Sequence, residues 1–326
     1  MPALSRKAAQ PLINVALRED AARRDITSLS VLPSDVRVRA RVIAKAPGVL
    51  AGVQVAAWTF QTLDPAIHCV LKRHDGSRVT RGQTVVMVEG HARSIFAAER
   101  TALNFLSHLS GIATLTQQFV RQVRGTHAKI MDTRKTLPSL RLLEKYAVRV
   151  GGGRSHRQDL SEAILIKTNH LKVLKRQQQS IARAVYEAIR RVRQKSPSEQ
   201  LIEIEVNDLK ELRAALQAQA DIVLLDNWSV SNVRKAMALA REERTKSYNE
   251  LREAITKQKP GHSRSNMDEW NEWITRTLSR ELILVEVSGG VTLNNVRAIA
   301  RTGVDRISIG RLTHSAPAMD VALVVA

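Results

Sequence analysis

The sequence of 326 residues contains a single cysteine, Cys69, so it can form no disulfide within the chain and no cysteine-rich zinc site. Aromatic residues make up only 3% of the chain, too few for an obvious base-stacking surface of a nucleic-acid-binding protein. No apolar run approaches the roughly 18 residues that cross a bilayer, and the N-terminal segment lacks the apolar core of a signal peptide. We therefore expect a soluble, cytoplasmic protein.

Acidic residues are scarce relative to basic ones: 31 Asp and Glu stand against 51 Lys and Arg, and the formal net charge is +20. Such an excess favours polyanionic partners, namely nucleic acid, an anionic surface or small substrates with several negative charges. Eight of the basic residues lie between Lys172 and Lys195, where Glu187 is the one acid. Because charge runs are usually solvated helix faces, we predict no specific nucleic-acid partner, and nonspecific, salt-sensitive RNA binding stays an alternative.

The first 112 residues predict an α+β domain that contains a small sandwich of strands. A short helix is predicted from residue 11 to 24, and a long helix from Ser94 to Gly111. Between them, V-R-V-R-A-R-V at 36–42 alternates apolar and basic residues, which predicts a half-buried strand that exposes its arginines to water.

From residue 113 to 326, short β-branched runs alternate with helical patterns. The predicted strands are 129–131, 147–150, 163–166, 201–206, 221–225, 282–287 and 306–309. This alternation predicts a parallel sheet, and seven units favour closure into an α/β barrel of the TIM type. An open, doubly wound sheet is the alternative, although no G-x-G-x-x-G motif opens a helix.

The connection between Asp226 and Ser288 is longer than one helix and one loop require, because 61 residues separate the two. We predict a surface insertion at about residues 241–280, which would serve as an oligomer or partner contact.

Charged or glycine-rich segments follow all seven predicted strands, at the end where barrel enzymes carry their active sites. The candidate residues in these segments are Arg134, Lys135, His156, Arg157, Lys167, Glu205, Asp226, Ser288, Gly289, Gly290 and Gly310. Each segment alone has an ordinary explanation, such as a helix start for D-T-R-K or a simple turn for G-G-G. Their convergence at one end of the strands predicts an active site.

The candidate cations are suited to a substrate with several carboxylates and phosphates, since arginine binds both groups bidentately. The S-G-G segment at 288–290 and Gly310 follow the last two strands, the usual phosphate site of such barrels. Glu205 and Asp226 could hold Mg²⁺ and ribose hydroxyls, or could stabilise an oxocarbenium ion. These residues predict phosphoryl or glycosyl-phosphate transfer on an anionic substrate.

Ten motifs, in this order along the chain, resemble those of the quinolinate phosphoribosyltransferase family over almost the whole sequence. They are R-E-D-A-A-R-R-D-I-T (18–27), E-R-T-A-L-N-F-L-S-H-L-S-G-I-A-T (99–114), M-D-T-R-K-T (131–136), E-K-Y-A-V-R-V-G-G-G (144–153), H-R (156–157), L-I-K-T-N-H (165–170), I-E-I-E-V (202–206), L-L-D-N (224–227), V-S-G-G-V (287–291) and I-G-R-L-T-H-S (309–315).

The resemblance implies an N-terminal open-faced α/β sandwich followed by a seven-stranded α/β barrel. It implies a reaction of quinolinate with phosphoribosyl pyrophosphate that yields nicotinate mononucleotide, pyrophosphate and CO₂ in NAD biosynthesis, with Mg²⁺ as the cofactor. It also implies a homodimer in which the sandwich of one subunit completes the active site of the other.

The resemblance also implies roles for individual residues. Quinolinate and phosphate would be bound by Arg134, Lys135, His156, Arg157 and Lys167, with Lys135 counted among the catalytic residues. Glu205 and Asp226 would form the acidic pair near the ribose and the metal, and Arg100 would reach across the dimer. The 5′-phosphate would be bound by Ser288, Gly289, Gly290 and Gly310.

Four positions depart from the family pattern. Thr168 stands where aspartate is common, Asp159 where a small residue is usual, Arg24 in place of a glycine, and Arg311 where smaller residues are frequent. None of these positions is a matched catalytic residue, but Asp159 and Thr168 bear on the geometry of their loops.

Three other interpretations stay open at this point. The substrate could be nicotinate, although a cluster for a second carboxylate argues against it. A related phosphoribosyltransferase-like protein of molybdenum transport shares the implied fold, but it departs at the D-T-R-K-T and I-K-x-N-H positions that are kept here. A basic nucleic-acid-binding protein on a barrel without activity would show damaged site residues, and the matched residues are intact.

Overall fold

The computed structural model describes residues 4–178, 180–195, 200–257 and 283–326. The chain divides into two compact units: unit one is Met1–Gln122, Ile130–His156 and Ile309–Ala326, and unit two is Val123–Lys129 and Arg157–Ser308. The domain bounds predicted from sequence, 1–112 and 113–326, stay a prediction. The predicted α/β class is confirmed, since unit one is built on an antiparallel sheet and unit two on parallel strands.

Unit one contains a four-stranded antiparallel sheet in the order β12-β1-β5-β3. Its strands are β1 (Arg37–Ala44), β3 (His68–Leu71), β5 (Thr84–His91) and β12 (Val321–Val325), and a short ladder joins β2 (Gly48–Val49) to β4 (Arg78–Val79). Along β1, alternate residues are buried from Ala40 onwards while the arginines remain exposed, so the predicted half-buried strand is confirmed.

The C-terminal strand β12 completes this N-terminal sheet. It pairs with β1 in antiparallel register from Ala44 opposite Val321 to Ala40 opposite Val325. Ala326 N–H extends the ladder by donating to the Arg39 carbonyl oxygen at 2.8 Å. The N-terminal sheet therefore depends on the last residues of the chain.

The helices of the first part of the chain are α1 (Arg6–Glu19), α2 (Ile26–Val31), α3 (Val53–Leu63) and α4 (Ala92–Gln122). The helix predicted at 11–24 is wrong at both ends, because Ser5 caps α1 and Pro11 lies inside it.

The prediction that a helix ends at Gly111 is wrong. The helix α4 continues through this residue to Gln122. A Cβ at position 111 would lie 2.1 Å from the carbonyl oxygen of Pro317. The glycine is therefore a point of close backbone approach and not a helix terminus.

The strand predicted at residues 147–150 is also wrong, because these residues end the helix α5 (Arg141–Val150). Leu143, Ala147 and Val148 recur at helical spacing and are fully buried. The β-branched valines suggested a strand, but the buried face of the longer segment has the period of a helix.

The strand β6 (Lys129–Met131) was predicted correctly. Within unit one, Met131 forms a parallel bridge with the single residue Arg154, whose N–H donates to the Ile130 carbonyl oxygen at 2.9 Å. The neighbouring Asp132 N–H donates to the Arg154 carbonyl oxygen at 3.0 Å. A single residue therefore takes the place of the predicted second strand.

Unit two contains parallel strands in the order β11-β10-β9-β8-β7. They are β7 (Ile164–Ile166), β8 (Ile202–Val206), β9 (Ile222–Asp226), β10 (Leu284–Ser288) and β11 (Arg306–Ser308). The accompanying helices are α6 (Thr168–Gln178), α7 (Ile181–Lys195), α8 (Leu209–Gln217), α9 (Val230–Lys257) and α10 (Val296–Ala300). All five strands were predicted from their β-branched runs.

The first part of the predicted insertion, from residue 241 to 257, continues the helix α9. The rest of it, up to residue 280, lies outside the described residues. Among the residues that are described, no helix combines the length and the apolar character needed to cross a membrane.

Candidate active site

The loop after β6 carries two of the predicted cations of unit one. Thr133 Oγ1 accepts a hydrogen bond from Lys135 N–H at 3.0 Å, and Thr313 Oγ1 donates to the Lys135 carbonyl oxygen at 2.7 Å. Arg134 is half-buried, and its Nε is buried with no hydrogen-bond partner in the described part of the chain. The main chain of this loop is held in place, and Arg134 keeps a donor for a ligand.

Gly310 lies against this loop, at the start of the short helix α11 (Arg311–His314). A Cβ at position 310 would lie 2.8 Å from Lys135 Cδ and 3.2 Å from His314 Nε2. The structure therefore brings together two residues that the sequence placed after different strands, Lys135 and Gly310.

Helix α5 supports the same loop through side-chain hydrogen bonds. Arg141 Nε donates to Thr136 Oγ1 at 3.1 Å, and the buried carboxylate of Glu144 accepts from Leu137 N–H at 3.2 Å. The second oxygen of Glu144 lies 2.9 Å from His108 Nε2 on α4. These contacts give the D-T-R-K-T loop a defined conformation without using its cationic side chains.

The segment that carries His156 is bound to the same region through a buried ion pair. Lys145 Nζ donates to Asp132 Oδ1 at 2.5 Å, and neither side chain is exposed to solvent. Asp132 Oδ1 also accepts from His156 N–H at 2.8 Å, and Lys145 Nζ donates to the His156 carbonyl oxygen at 3.0 Å. Burial raises the pKa of Asp132, and the Lys145 ammonium opposes that shift.

The three glycines before His156 are needed for close packing and not only for a turn. A Cβ at Gly151 would lie 2.5 Å from the Ala113 carbonyl oxygen, and one at Gly153 would lie 2.7 Å from Val148 Cγ1. Gly152 between them has a φ of +92°. The absence of side chains in the G-G-G motif thus allows close packing directly after α5. The next residue, Arg154, then pairs with Met131 of β6.

In unit two, acidic side chains share one face of the parallel sheet. Glu205 lies opposite Leu224, Leu224 lies opposite Glu286, and Asp226 lies opposite Ser288. Because side chains alternate along a strand, all five point to the same face. The predicted pair Glu205 and Asp226 therefore occupies neighbouring strands on one face, two positions apart along the strands.

Glu205 is oriented by a chain of hydrogen bonds. Thr168 Oγ1 donates to Glu205 Oε1 at 2.6 Å, and Asn207 Nδ2 donates to Thr168 Oγ1 at 3.1 Å. The buried carboxylate of Glu211 accepts from both Asn207 Nδ2 (2.9 Å) and Asn207 N–H (2.7 Å). Since Asn207 donates to the hydroxyl oxygen, the Thr168 proton is directed to Glu205. Thr168, one of the four departures from the family pattern, thus supplies a hydrogen-bond donor to Glu205.

The S-G-G segment adopts a conformation that requires glycine. Gly289 and Gly290 have φ values of +79° and +60°, and a Cβ at 289 would lie 2.2 Å from Asn227 Oδ1. Asn227 N–H donates to the Ser288 carbonyl oxygen at 2.8 Å, and Asn227 Nδ2 donates to Asp226 Oδ2 at 2.9 Å. This loop therefore packs directly onto the residue that follows Asp226.

Three further predicted residues are Arg157, Lys167 and Arg100. Arg157 donates through Nη1 to the Ala163 carbonyl oxygen at 3.0 Å, and the Lys167 side chain is exposed. Arg100 is exposed on α4 beside Glu99, whose pKa is raised by burial and lowered in part by the arginine.

In each unit, polar residues were present that the sequence analysis did not single out. Lys145 gives no sequence signal because long cations are normally exposed. Glu203 and Glu286 are almost fully buried on the sheet face of Glu205. The alternation in I-E-I-E-V could have revealed Glu203, because it places both glutamates of that strand on one face.

Two family models cover most of the chain. Residues 25–110 match the N-terminal domain of quinolinate phosphoribosyl transferase, and residues 112–324 match its C-terminal domain. A curated relative, the carboxylating nicotinate-nucleotide pyrophosphorylase of Mycobacterium leprae, is 36% identical over 319 residues, which are 97% of this chain and 96% of that protein.

Solved structures agree with the sequence comparison. The nicotinate-nucleotide pyrophosphorylase of Ehrlichia chaffeensis has a TM-score of 0.81 and 31% identity, with 100% of both chains covered. That of Francisella tularensis has a TM-score of 0.78 and 33% identity, with 99% of this chain and 98% of that chain covered.

Proposed function

Because the chain belongs to the quinolinate phosphoribosyl transferase family, we propose that it is the carboxylating nicotinate-nucleotide pyrophosphorylase of NAD biosynthesis. The enzyme joins quinolinate to phosphoribosyl pyrophosphate and releases nicotinate mononucleotide, pyrophosphate and CO₂. The observation that carries this proposal is the 36% identity with a pyrophosphorylase over 97% of this chain. The intact cationic loop 131–136 and the carboxylates Glu205 and Asp226 support it.

Quinolinate binding is assigned to the cations. Arg134 retains a buried, unused Nε donor, which is suited to a carboxylate ligand. Lys135, whose main chain is fixed by Thr133 and Thr313, orients a carboxylate or phosphate and does not act as a base. His156, Arg157 and Lys167 complete the set of cations for a substrate that carries two carboxylates.

The glycosyl transfer is assigned to the acidic pair. As pyrophosphate leaves C1 of the ribose, positive charge develops there and the pyridine nitrogen attacks, so that the C1–O bond breaks and a C1–N bond forms. Glu205 and Asp226 stabilise this charge. The bond between ring C2 and its carboxylate then breaks and CO₂ leaves. The electron pair of that bond stays on C2, where the adjacent pyridinium nitrogen stabilises it, and C2 takes a proton from solvent.

The 5′-phosphate is assigned to the glycine loops. Gly289 and Gly290 are successive left-handed residues, a backbone conformation that can turn N–H groups towards an anion. No hydrogen bond of these two N–H groups occurs among the residues that the structure describes. Ser288 and Gly310 are also proposed to bind the 5′-phosphate.

Mg²⁺ belongs to the proposal as the cofactor. The donor set fits a hard divalent cation, because Glu205 and Asp226 offer carboxylate oxygens from one face of adjacent strands. These two residues would hold the ion, directly or through water, and the ion would neutralise charge on the pyrophosphate.

We further propose a cytoplasmic homodimer in which Arg100 acts on the substrate of the neighbouring subunit. Its exposed position on α4 supports this role, since the side chain makes no hydrogen bond within the described part of its own chain.

The direct test is to supply the protein with phosphoribosyl pyrophosphate and Mg²⁺, with either quinolinate or nicotinate as the second substrate. We expect CO₂ and nicotinate mononucleotide from quinolinate in equal amounts, and no product from nicotinate. Equal turnover of nicotinate, or no turnover of quinolinate by the folded protein, would contradict the proposal.

Thr168 offers a prediction specific to this chain. Thr168→Val removes the hydroxyl that orients Glu205 while conserving the shape, and a hydrogen bond to a charged group contributes about 1.5–3 kcal/mol. If this orientation matters mainly in the transition state, kcat falls roughly ten-fold. Thr168→Ser, which keeps the donor, is the matched control and should retain most of the activity. Equal kcat values for the two variants would show that the hydroxyl is not needed.

A further inference from the structure

The ion pair between Lys145 and Asp132 is the most deeply buried pair of opposite charges in the described part of unit one, with 0% exposure of both side chains. Moving two charges out of water is costly, and a buried pair is often no more stabilising than apolar residues of the same volume. Stability alone therefore gives a weak reason for placing a lysine here.

The pair holds both main-chain polar groups of one residue, His156. Its N–H is bound by Asp132 Oδ1 and its carbonyl oxygen by Lys145 Nζ, at 2.8 and 3.0 Å. The two charged groups are themselves joined at 2.5 Å, so the three contacts form a closed ring. Such a ring restricts both the position and the tilt of the His156 backbone.

Asp132 is anchored independently of this ring. Its N–H donates to the Arg154 carbonyl oxygen, and Arg154 N–H returns to the Ile130 carbonyl oxygen. Lys145 is anchored by α5, which also supports the D-T-R-K-T loop through Arg141 and Glu144. The ring therefore fixes the position of the His156 backbone relative to two elements. One is the strand β6, which precedes Arg134, and the other is the helix α5, which supports the loop that carries Arg134.

We propose that Lys145 and Asp132 are positioning residues that set the placement of His156 relative to Arg134, and thereby the affinity for the dicarboxylate substrate. The proposal rests on the proposed function, in which His156 and Arg134 bind quinolinate. Neither Lys145 nor Asp132 needs to touch the substrate. A displacement of about 1 Å in a positioning group can lower a rate roughly a hundred-fold, so the ring is a sensitive place to alter.

The test uses the double variant Asp132→Asn with Lys145→Met in the full-length enzyme. It removes both buried charges together, so no unpaired charge remains, and it removes the donor to the His156 carbonyl oxygen. We expect kcat/KM for quinolinate to fall roughly a hundred-fold through a raised KM. The KM for phosphoribosyl pyrophosphate should stay within about two-fold, since the residues assigned to it lie outside the ring. They are Glu205, Asp226, Ser288, Gly289, Gly290 and Gly310.

Leu143→Ala is the matched structural control. Leu143 is fully buried on α5, and its truncation destabilises the protein while leaving in place the three residues whose hydrogen bonds form the ring. We expect this variant to have a lower Tm and an unchanged KM for quinolinate. If the Leu143 variant shows the same rise in KM, the effect follows from general destabilisation and the proposal is wrong.

Two further outcomes would also overturn the proposal. One is a folded double variant with wild-type kinetics for quinolinate, and the other is a double variant that cannot fold, which would assign the pair to stability. Failure of the proposed function is distinguishable from both, because it would appear as absence of quinolinate turnover in the unmodified enzyme.

Discussion

Replacing Glu205 by glutamine is expected to lower kcat by about two to three orders of magnitude, the usual effect of removing one electrostatic group that faces developing charge. Glu205 is one of two proposed carboxylates near the ribose, and Thr168 and Asn207 hold it in one orientation. Glutamine keeps the shape and a hydrogen-bond acceptor but loses the negative charge. The measurement is kcat with saturating quinolinate and phosphoribosyl pyrophosphate, together with the Mg²⁺ concentration that gives half-maximal activity.

Glu242→Gln is the control for this experiment. It makes the same change in net charge on the exposed surface of α9, and it should leave kcat within about two-fold, as expected for a charge far from the reacting centre. If the Glu205→Gln enzyme keeps nearly full activity, the prediction is wrong. The charge would then be stabilised by Asp226 or by the buried glutamates on the same face of the sheet.

Gly111→Ala is expected to destabilise the protein strongly, although alanine normally stabilises a helix interior by about 1 kcal/mol relative to glycine. The added Cβ would lie 2.1 Å from the Pro317 carbonyl oxygen and 3.0 Å from Ala318 Cα, both of which are main-chain atoms. The backbone must move to relieve this contact, and we expect a loss of about 3 kcal/mol in the free energy of unfolding.

The loss is measured from the urea midpoint and slope, with Gln118→Ala on the exposed side of the same helix as control. The control should stay within about 0.5 kcal/mol of the parent protein. A Gly111→Ala protein as stable as the parent would mean that residues 317–318 can shift freely, and that the N-terminal sheet does not depend on their position.

Local sequence patterns were sufficient for the strands that have a simple period. The alternation along 36–42 predicted β1 because one face of that strand is in water, and the β-branched runs predicted β7 to β11 because these strands are largely buried. The segment at 147–150 failed because four residues are too few to separate two periods, and only the buried set Leu143, Ala147 and Val148 shows the helix.

The sequence was sufficient to predict which residue types form the candidate site. It was not sufficient to predict the hydrogen bonds and ion pairs that hold those residues in place. Cations and carboxylates after strands are visible in a sequence, whereas a hydrogen bond from Thr168 to Glu205 depends on the distance between two loops. Lys145 could not be predicted, because only the folded chain brings its ammonium to Asp132 and the His156 carbonyl oxygen. The pairing of β12 with β1 joins residues at opposite ends of the chain and has no local signal.

That pairing has a consequence for synthesis on the ribosome. Val321 is made 277 residues after its partner Ala44, and at about 5–20 residues per second the delay is roughly 14 to 55 seconds. During this time β1 presents an open edge that another nascent chain could join. The exposed arginines 37, 39 and 41 lie along that edge, and their mutual repulsion between copies would discourage such pairing until β12 emerges.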